Sequence, residues 1–324
     1  MITTKHSRFA AGTAFAAVLL ISGTPAFAQS ADYPSDRITL TVGFAAGGFA
    51  DTYARILGDE LGKKWKTVVT VENTAGAGGN TAASFIANQE PDGYNILVTT
   101  TAIAINPTLY KSLDYKLDDL TGIAVPVSSP ETIATHPSQP GTLKAFLEAH
   151  QGKEITFATA GVGSGSHIAA EYFLKVIAKV NAAHVPFRGG ALSVQAALGN
   201  QVNMVASSFG VTPQVVEKAL TGLAVASAER NPAMPDVPTY AEGGYPFIAE
   251  SWVGLFAPSK TPPEVVEKLN GAINEIMSEP EVQKKLSDMG YQLHIRTVPE
   301  VAAYVKEEGA KWGEMVKAIG VTVE

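Results

Sequence analysis

The chain has 324 residues, a length that suits two domains of ordinary size. Hydrophobic residues make up 46% and charged residues 17%, a balance that excludes a disordered chain. A net charge of -7 gives no electrostatic reason to bind nucleic acid, and the lack of cysteine excludes disulfides, thiolate metal sites and cysteine nucleophiles.

Residues 1–28 have the pattern of a secretory signal sequence. Two basic residues precede an uncharged apolar run from Phe9 to Ile21, and Ala26-Phe27-Ala28 matches a small-x-small cleavage site. The sequence therefore predicts export and cleavage before Gln29. An uncleaved anchor is the alternative, although the run is shorter than the ~20 residues of a membrane span.

The rest of the chain alternates between strands and helices. The patterns predict strands at 38–44, 67–71, 94–99, 132–135, 155–158, 202–206 and 252–257. They predict helices at 53–63, 143–150, 191–198, 262–277, 281–289 and 298–319, and two more that follow glycine-rich turns and end at Ile86 and Val180. This alternation favours an α/β fold in which helices cover both faces of a mainly parallel sheet.

The chain is predicted to cross between two domains near 126–130 and again near 243–250. Domain 1 is then discontinuous and comprises 29–128 and 249–324, whereas domain 2 comprises 129–248. Two crossings make a clam shell with a hinge of two strands and a ligand cleft between the domains.

Two glycine-rich loops, 44–51 and 159–167, each follow a strand and open a helix. Free backbone N–H groups and the helix dipole favour an anion at such a position. Two loops facing each other across a cleft would hold the two ends of a small carboxylate, although each loop alone is also what a tight turn requires. The second loop adds the hydroxyls of Thr159, Ser164 and Ser166.

Three side chains near these loops have more than one interpretation. Asp51 suits a helix N-cap better than a ligand for an anion. His167 is either a donor to a carboxylate or a first-turn residue that packs locally. Trp252 forms either a wall of the cleft or part of the core.

Enzyme motifs are not apparent. Gly161-x-Gly163-x-Gly165 is followed by Ser166 and so departs from the dinucleotide-binding pattern, and there is no nucleophile elbow, zinc-protease helix or P-loop. A Ser-His-Asp site assembled in space is the remaining enzymatic alternative. No metal or cofactor is predicted, because none of the histidines has metal-ligand spacing with another: His136, His150, His167, His184 and His294.

A series of short motifs runs in order from Tyr33 to the C-terminus. They lie at 33–38, 44–51, 71–80, 91–94, 105–107, 160–167, 184–190, 235–239 and 250–252. With these motifs the sequence resembles the periplasmic solute-binding proteins of tripartite tricarboxylate transporters, the Bug or TctC type. The resemblance implies a two-domain Venus-flytrap periplasmic binding protein fold and a location in the periplasm.

The resemblance also implies a ligand carboxylate held by the two glycine-rich loops, by hydroxyls and by ordered waters, without a dedicated arginine clamp. Contacts from the first domain would come from Ala45, Ala46, Gly47, Gly48, Phe49 and Thr100. Contacts from the second domain would come from Thr159, Gly161, Gly163, Ser164, Ser166, His167 and Ser207.

The sequence departs from the family pattern at three places. Phe49 stands where a small residue is common, Ser207 where an aspartate is common, and 100–102 replaces a Ser-Gly-Thr. A phenyl ring at the mouth favours an apolar or aromatic carboxylate, and the missing aspartate disfavours an amino-acid ligand. Drift in a variable loop is the alternative explanation.

The leading hypothesis is a monomeric receptor that delivers a small organic carboxylate to the membrane subunits of a tripartite transporter and is not an enzyme. The ligand would be a di- or tricarboxylate or an aromatic carboxylate. A ligand sensor for a signalling system with the same fold is the alternative, and a periplasmic hydrolase or isomerase is the third hypothesis.

Overall fold

The computed structural model describes residues 1–2 and 33–324. The predicted signal sequence and its cleavage site lie outside the described residues. The strands are β1 (Ile38–Val42), β2 (Val69–Asn73), β3 (Asn95–Thr100), β4 (Leu120–Pro130), β5 (Thr132–Thr135), β6 (Ile155–Thr159), β7 (Ala182–Pro186), β8 (Met204–Ser207), β9 (Thr221–Val225), β10 (Glu250–Pro258) and β11 (Gln292–Leu293).

The helices alternate with these strands along the chain. They are α1 (Phe49–Trp65), α2 (Asn80–Ala87), α3 (Ala102–Leu109), α4 (Leu143–Ala149), α5 (Gly165–Glu171), α6 (Gly190–Leu198), α7 (Val211–Val216), α8 (Pro263–Met277), α9 (Pro280–Asp288) and α10 (Val298–Ile319). A π-helical segment, Tyr172–Ile177, continues α5. Within the described residues, no helix combines the length and apolar character that a membrane span needs.

Two sheets organise the molecule, and we call the parts of the chain around them the first and the second domain. The first sheet has the strand order β11-β4-β10-β3-β1-β2, and the second has the order β7-β6-β8-β5-β9. Ile38, Leu40 and Val42 alternate along β1 and are fully buried, because this face of the strand packs in the core with Leu57 and Leu61 of α1. The α/β fold with two domains is confirmed.

Both sheets are mixed, so the expected mainly parallel arrangement is wrong in this respect. β1 is parallel to β2 and β3, and β6 is parallel to β7 and β8. Every antiparallel pair among the described strands includes β4, β5 or β10. These strands carry the chain between the domains, so they are not followed by the crossover helix that returns a chain to a parallel neighbour.

The hinge consists of two extended segments. Only Glu131 separates β4 from β5, and the chain returns through Ala249 into β10. Three backbone hydrogen bonds close a ring at this crossing: Glu131 donates to Ala249 at 2.9 Å, Ala249 to Ala226 at 3.0 Å, and Ala226 to Glu131 at 2.8 Å. The crossings lie next to the expected positions, while the residue bounds of the domains stay a prediction.

Helices α3 and α10 extend the first domain onto the second. Trp312 of α10 and Ile105 and Leu109 of α3 share one buried cluster with Phe173 of the second domain. The C-terminal part of α10, predicted to belong to domain 1, therefore packs against both domains.

Several local predictions differ from the structure. α1 begins at Phe49 rather than at Tyr53, and Gly48 occupies the N-cap position predicted for Asp51. The helix predicted to reach Val180 changes from α5 to the π-helical segment and ends at Ile177. The patterns missed α3, β4, β7, α7, β9 and β11 altogether.

Candidate functional site

A small cavity lies between the two domains, and we call it the interdomain cavity. It leaves about 40 Å³ for the centres of water-sized molecules, room for about three waters. The first domain lines it with Phe44, Gly48, Phe49, Ala50, Thr100 and Ser251. The second domain lines it with Ala160, Ser164, Gly165, Ser166, Gly189, Gly190, Ser207, Ser208 and Phe209.

Three helices begin at the interdomain cavity. α1 starts beside Gly48, α5 beside Ser164 and α6 beside Gly189, and residues of each first turn line the wall. The N–H groups of a first turn have no partner inside their helix, and they carry the positive end of the helix dipole. Among the described lining residues none has an ionisable side chain, so backbone N–H groups and hydroxyls dominate the local field. This arrangement is suited to an anion.

Asp51 fixes the first loop from the side away from the cavity. It is buried and accepts hydrogen bonds from the Gly47 N–H at 2.8 Å and from Arg55 at 2.9 and 3.0 Å. Asn73 joins the network by donating to Asp51 Oδ1 and to the carbonyl of Phe44. Burial raises the pKa of Asp51, but the hydrogen bonds from Arg55, Gly47 and Asn73 outweigh it and keep the pKa below its usual value.

Ser164 organises the second loop as the N-cap of α5. Its hydroxyl accepts from the His167 N–H at 3.2 Å, donates to the Gly161 carbonyl at 2.7 Å and lies 3.1 Å from the Ser166 hydroxyl. Because the Ser164 proton is used for the Gly161 carbonyl, Ser166 is the donor and Ser164 the acceptor in a hydrogen bond between these two hydroxyls.

His167 packs locally and does not line the interdomain cavity. Its Nδ1 accepts from the Gly163 N–H at 3.3 Å, and its Nε2 lies 2.7 Å from a carboxylate oxygen of Glu171. Both ring nitrogens therefore have partners inside the second domain, which favours the interpretation as a locally packed residue. Thr159 is equally internal, since its hydroxyl lies 2.6 Å from His184 Nε2.

Burial and hydrogen bonds together set the charges of this network. Burial raises the pKa of Glu171, but hydrogen bonds from His167 and Lys175 more than compensate and bring it to about 2. Burial, reinforced by the nearby His167, lowers the pKa of His184 to about 3. At neutral pH, Glu171 is therefore ionised and His184 is neutral.

His167, Glu171 and His184 come within 4.8 Å of one another, a proximity that their sequence spacing did not reveal. The two imidazole rings stack at 4.0 Å with an interplanar angle of 20°. Lone pairs in nearly parallel rings do not converge on one ion, and both nitrogens of His167 already have partners. The geometry does not fit a metal site.

Two glycines of the second loop serve contacts other than the cavity. A Cβ on Gly163, whose φ is +80°, would lie 2.6 Å from Asn106 Oδ1 of the first domain. A Cβ on Gly161 would lie 2.8 Å from the carbonyl oxygen of Phe187. Both positions therefore require glycine for close packing.

In the first loop, too, only some of the predicted residues line the interdomain cavity. Gly48 and Phe49 line the interdomain cavity, whereas Ala46 and Gly47 line a surface depression beside Asp51. Ala45 faces the second domain, where a Cβ on Gly189 would lie 3.6 Å from the Ala45 Cβ.

Phe49 belongs to an aromatic cluster that joins the domains. Its ring stacks on Tyr291 of the first domain at 5.1 Å and contacts Phe209 of the second domain at 5.8 Å. Phe209 and Tyr291 are also 5.1 Å apart, and the Tyr291 hydroxyl donates to the Phe49 carbonyl. The Phe49 ring therefore packs mainly against aromatic rings of both domains, and its remaining surface lines the interdomain cavity.

Thr100 and Ser207 line the cavity from opposite domains. Thr100 Oγ1 accepts from the Ala102 N–H at 3.4 Å. The Ser207 hydroxyl donates to the Phe209 carbonyl at 2.6 Å, so it fixes the loop that carries the aromatic ring. Trp252, in contrast, is a core residue, because its Nε1 donates to buried Glu308.

The sequence interpretation missed the lining residues that lie outside the two glycine-rich loops: Gly189, Gly190, Ser208, Phe209 and Ser251. A signal existed for the third helix, since Arg188-Gly189-Gly190 precedes a predicted helix much as the other glycine loops do. Ser251 lies within the motif at 250–252, from which the sequence interpretation considered Trp252 alone.

A larger opening, which we call the outer cleft, shares Phe44 and Ala160 with the interdomain cavity. Its volume is about 610 Å³, within the ordinary range for a small-molecule site. Arg188 is the one residue with a charged side chain among the described residues that line it. The interdomain cavity is thus suited to an anion, and the outer cleft is wider and includes one cationic side chain, that of Arg188.

The family profile described as "Tripartite tricarboxylate transporter family receptor" matches residues 53–321. Protein BugT of Bordetella pertussis is 32% identical over 309 residues, which cover 91% of this chain and 93% of that protein. The structure of MatC (Rpa3494) from Rhodopseudomonas palustris with bound malate is 31% identical, has a TM-score of 0.80, and covers 88% of this chain and 100% of its own.

The structure of R. palustris Rpa4515 with adipate is 26% identical and has a TM-score of 0.86, with coverage of 90% of this chain and 99% of its own. These matches extend over both sheets and both sides of the interdomain cavity. The chain belongs to the tripartite tricarboxylate transporter receptor family, the Bug or TctC type of periplasmic solute-binding protein.

Proposed function

We propose that this receptor binds a small organic dicarboxylate between its domains and delivers it to the membrane subunits of a tripartite transporter. The observation that carries the proposal is the convergence of α1, α5 and α6 on a cavity whose described lining residues have no ionisable side chain. Three helix N-termini neutralise a carboxylate without a counter-ion.

The proposed ligand has a second carboxylate because the two spaces differ. The interdomain cavity has room for one carboxylate-sized group, while the outer cleft is wider and includes Arg188. One carboxylate would enter the cavity, and the other would extend into the outer cleft toward Arg188. The malate and adipate in the two related structures are dicarboxylates, which supports this choice.

The proposed contact residues are the predicted ones that line the interdomain cavity: Gly48, Phe49, Thr100, Ser164, Ser166 and Ser207. The other predicted residues would fix the loops, bring the domains together or, in the case of Gly161, line the outer cleft. They are Ala45, Ala46, Gly47, Thr159, Gly161, Gly163 and His167.

Further parts of the proposal concern the whole protein. The protein would be exported by the signal sequence, cleaved before Gln29, and act as a monomer with no catalytic step. Domain 1 would comprise 29–128 and 249–324, and domain 2 would comprise 129–248. The receptor family and its periplasmic relatives support the periplasmic location.

The test is a thermal-shift screen of residues 29–324 with adipate, malate, citrate and terephthalate. A ligand at about 100 times its dissociation constant should stabilise the protein by about 2.7 kcal/mol. Titration calorimetry with the strongest ligand then measures its affinity. No stabilisation by any of the four acids would contradict the proposal.

Arg188→Ala tests the second carboxylate. This substitution should weaken adipate binding by about fivefold, the value of about 1 kcal/mol typical of an exposed charge pair, and leave hexanoate binding unchanged. Lys144→Ala removes an exposed cation of the same domain that lines neither space and serves as the control. An equal loss for both acids would place the distal group of the ligand elsewhere.

A further inference from the structure

Glu131 is a buried carboxyl group behind the wall of the interdomain cavity. It lies at the hinge crossing, is only 2% exposed, and forms a hydrogen bond of 2.5 Å between its Oε1 and the Ser251 hydroxyl. Ser251 lines the cavity on its other side. A Cβ on Gly165, at the start of α5, would overlap Ser251 Oγ and lie 3.1 Å from Glu131 Oε1. The carboxyl group, the serine and the helix terminus are therefore in direct contact.

The surroundings of Glu131 supply no cation. None of the salt bridges among the described residues includes it, and its one side-chain hydrogen bond is with Ser251. From the segment after β9, buried Tyr240 faces it, and this phenol is neutral because burial raises its pKa well above the usual value. On α5, His167 is occupied by Gly163 and Glu171, and on β10 the Glu250 carboxylate instead accepts from Ser128.

The second oxygen of Glu131 is equally informative. Oε2 is buried and has no hydrogen-bond partner among the residues that the structure describes. An ionised carboxylate with one bare oxygen in such a place is costly, whereas a neutral acid loses much less on burial. In agreement, burial raises the pKa of Glu131 to about 8, and the hydrogen bond with Ser251 lowers it by less.

We propose that Glu131 is a protonated carboxylic acid that donates to Ser251 Oγ, so that the Ser251 hydroxyl turns its own proton into the interdomain cavity toward the ligand carboxylate. The inference rests on the proposed function, because it requires a carboxylate in the cavity. A hydroxyl donates to an ionised carboxylate but can accept from a neutral acid, so the proton on Glu131 decides the direction of the Ser251 hydroxyl. Glu131 is thus a positioning residue, and Ser251 is the contact residue.

Loss of the proton reverses this arrangement. An ionised Glu131 accepts the Ser251 proton, leaves an oxygen lone pair facing the cavity and adds a negative charge behind it. The ligand carboxylate then meets repulsion instead of a donor. The protein therefore binds the ligand carboxylate when Glu131 is protonated. The apparent affinity falls in proportion to the fraction of protein that is protonated at Glu131.

The experiment measures adipate affinity by titration calorimetry between about pH 6 and about pH 9.5, where both adipate carboxylates are ionised. Wild-type affinity should be constant up to about pH 7 and fall by about tenfold per pH unit above about pH 8. Glu131→Gln carries an amide that donates to Ser251 in the same sense and does not titrate. This variant should bind adipate like the wild type at pH 6 and keep that affinity at high pH.

Ser251→Ala should bind adipate weakly already at pH 6, and its affinity should fall less with pH than that of the wild type, because only the charge of Glu131 still acts. If wild type and Glu131→Gln have the same pH profile, the inference is wrong while the receptor function stands. If adipate does not bind to the wild type at any pH, the proposed ligand class fails, and two readouts without ligand still decide the protonation of Glu131.

The first readout is the infrared band of a protonated carboxylic acid at neutral pH, which should disappear in Glu131→Gln. The second is stability. Because the folded-state pKa exceeds the unfolded-state value, wild type should lose stability as the pH rises from about 5 to about 8, and Glu131→Gln should not. The absence of both effects would overturn the inference.

Discussion

Gly163 brings the backbone of the second domain against helix α3 of the first. A Cβ at this position would overlap Asn106 Oδ1 at 2.6 Å and contact Leu109 at 3.2 Å. Asn106 is itself fixed, since it donates to the Gly78 carbonyl and to Asn80. A single methyl group at Gly163 therefore acts on the approach of the two domains rather than on the ligand.

Gly163→Ala should weaken adipate binding by about tenfold or more, because the closed arrangement no longer accommodates the loop. Its positive φ should also cost about 1 kcal/mol of stability. Gly152→Ala is the matched control, since Gly152 has a φ of +72° and a Cβ there would meet nothing within 4 Å. It should lose similar stability in chemical unfolding and bind adipate normally. Equal affinities for the two variants would contradict the role of Gly163.

At the scale of elements, the cleft is closed by contacts that come from loops rather than from the sheets. Phe209 follows β8 of the second domain and packs against both Phe49 and Tyr291 of the first. Ser207 holds the Phe209 segment by bonding to both its N–H and its carbonyl. The aromatic cluster is therefore a preformed closure whose strength adds to that of any ligand.

Phe209→Ala should shift the free protein toward the open form. Each aromatic pair contributes about 1 kcal/mol, so the loss of two pairs should weaken adipate binding by roughly tenfold or more. Small-angle scattering should detect a larger radius of gyration for the free variant. Phe85→Ala truncates an exposed ring of α2 and should change neither quantity. An unchanged radius and affinity for Phe209→Ala would show that the cluster does not hold the cleft closed.

Features of the site that depend on neighbouring residues in the chain could be predicted from the sequence, whereas contacts between distant residues could not. The loops at Gly48 and Ser164 were predictable, because a glycine-rich turn between a strand pattern and a helical pattern is visible in the local sequence. Ser251 and Glu131 are 120 residues apart in the chain and meet only when β10 returns beside the crossing from β4. No local pattern encodes that meeting, and the same applies to Phe209 and Tyr291.

The long strand β4 was also missed by the sequence patterns, although it has 11 residues. β4 is buried along most of its course and contains Pro126, which interrupted the strand pattern. The fold class survived these omissions because the alternation of strands and helices elsewhere was sufficient.

At the scale of the whole molecule, net charge and local field have opposite signs. The chain carries a net charge of -7, while the helix N-termini make the interdomain cavity favourable for anions. Residues 1–28 contain basic but no acidic residues, so the chain without them is more acidic still. A dicarboxylate therefore approaches against the long-range field and is attracted only within the cleft.

The association rate of adipate should therefore rise by about two- to threefold as ionic strength increases from about 0.01 M to about 0.15 M, because salt screens the long-range repulsion. Stopped-flow fluorescence measures this rate. Hexanoate, with one charge, should respond less. A rate that falls with salt would mean that Arg188 attracts the ligand from a distance.

The use of main-chain N–H groups at three helix starts affects how such receptors can evolve new ligand preferences. Every residue type except proline carries this group, so most coding changes leave the anchor for one carboxylate intact. Duplicated genes can then change the residues of the outer cleft and bind new acids, while the helix N-termini still bind the first carboxylate. A few substitutions in the outer cleft are then enough to change the ligand preference.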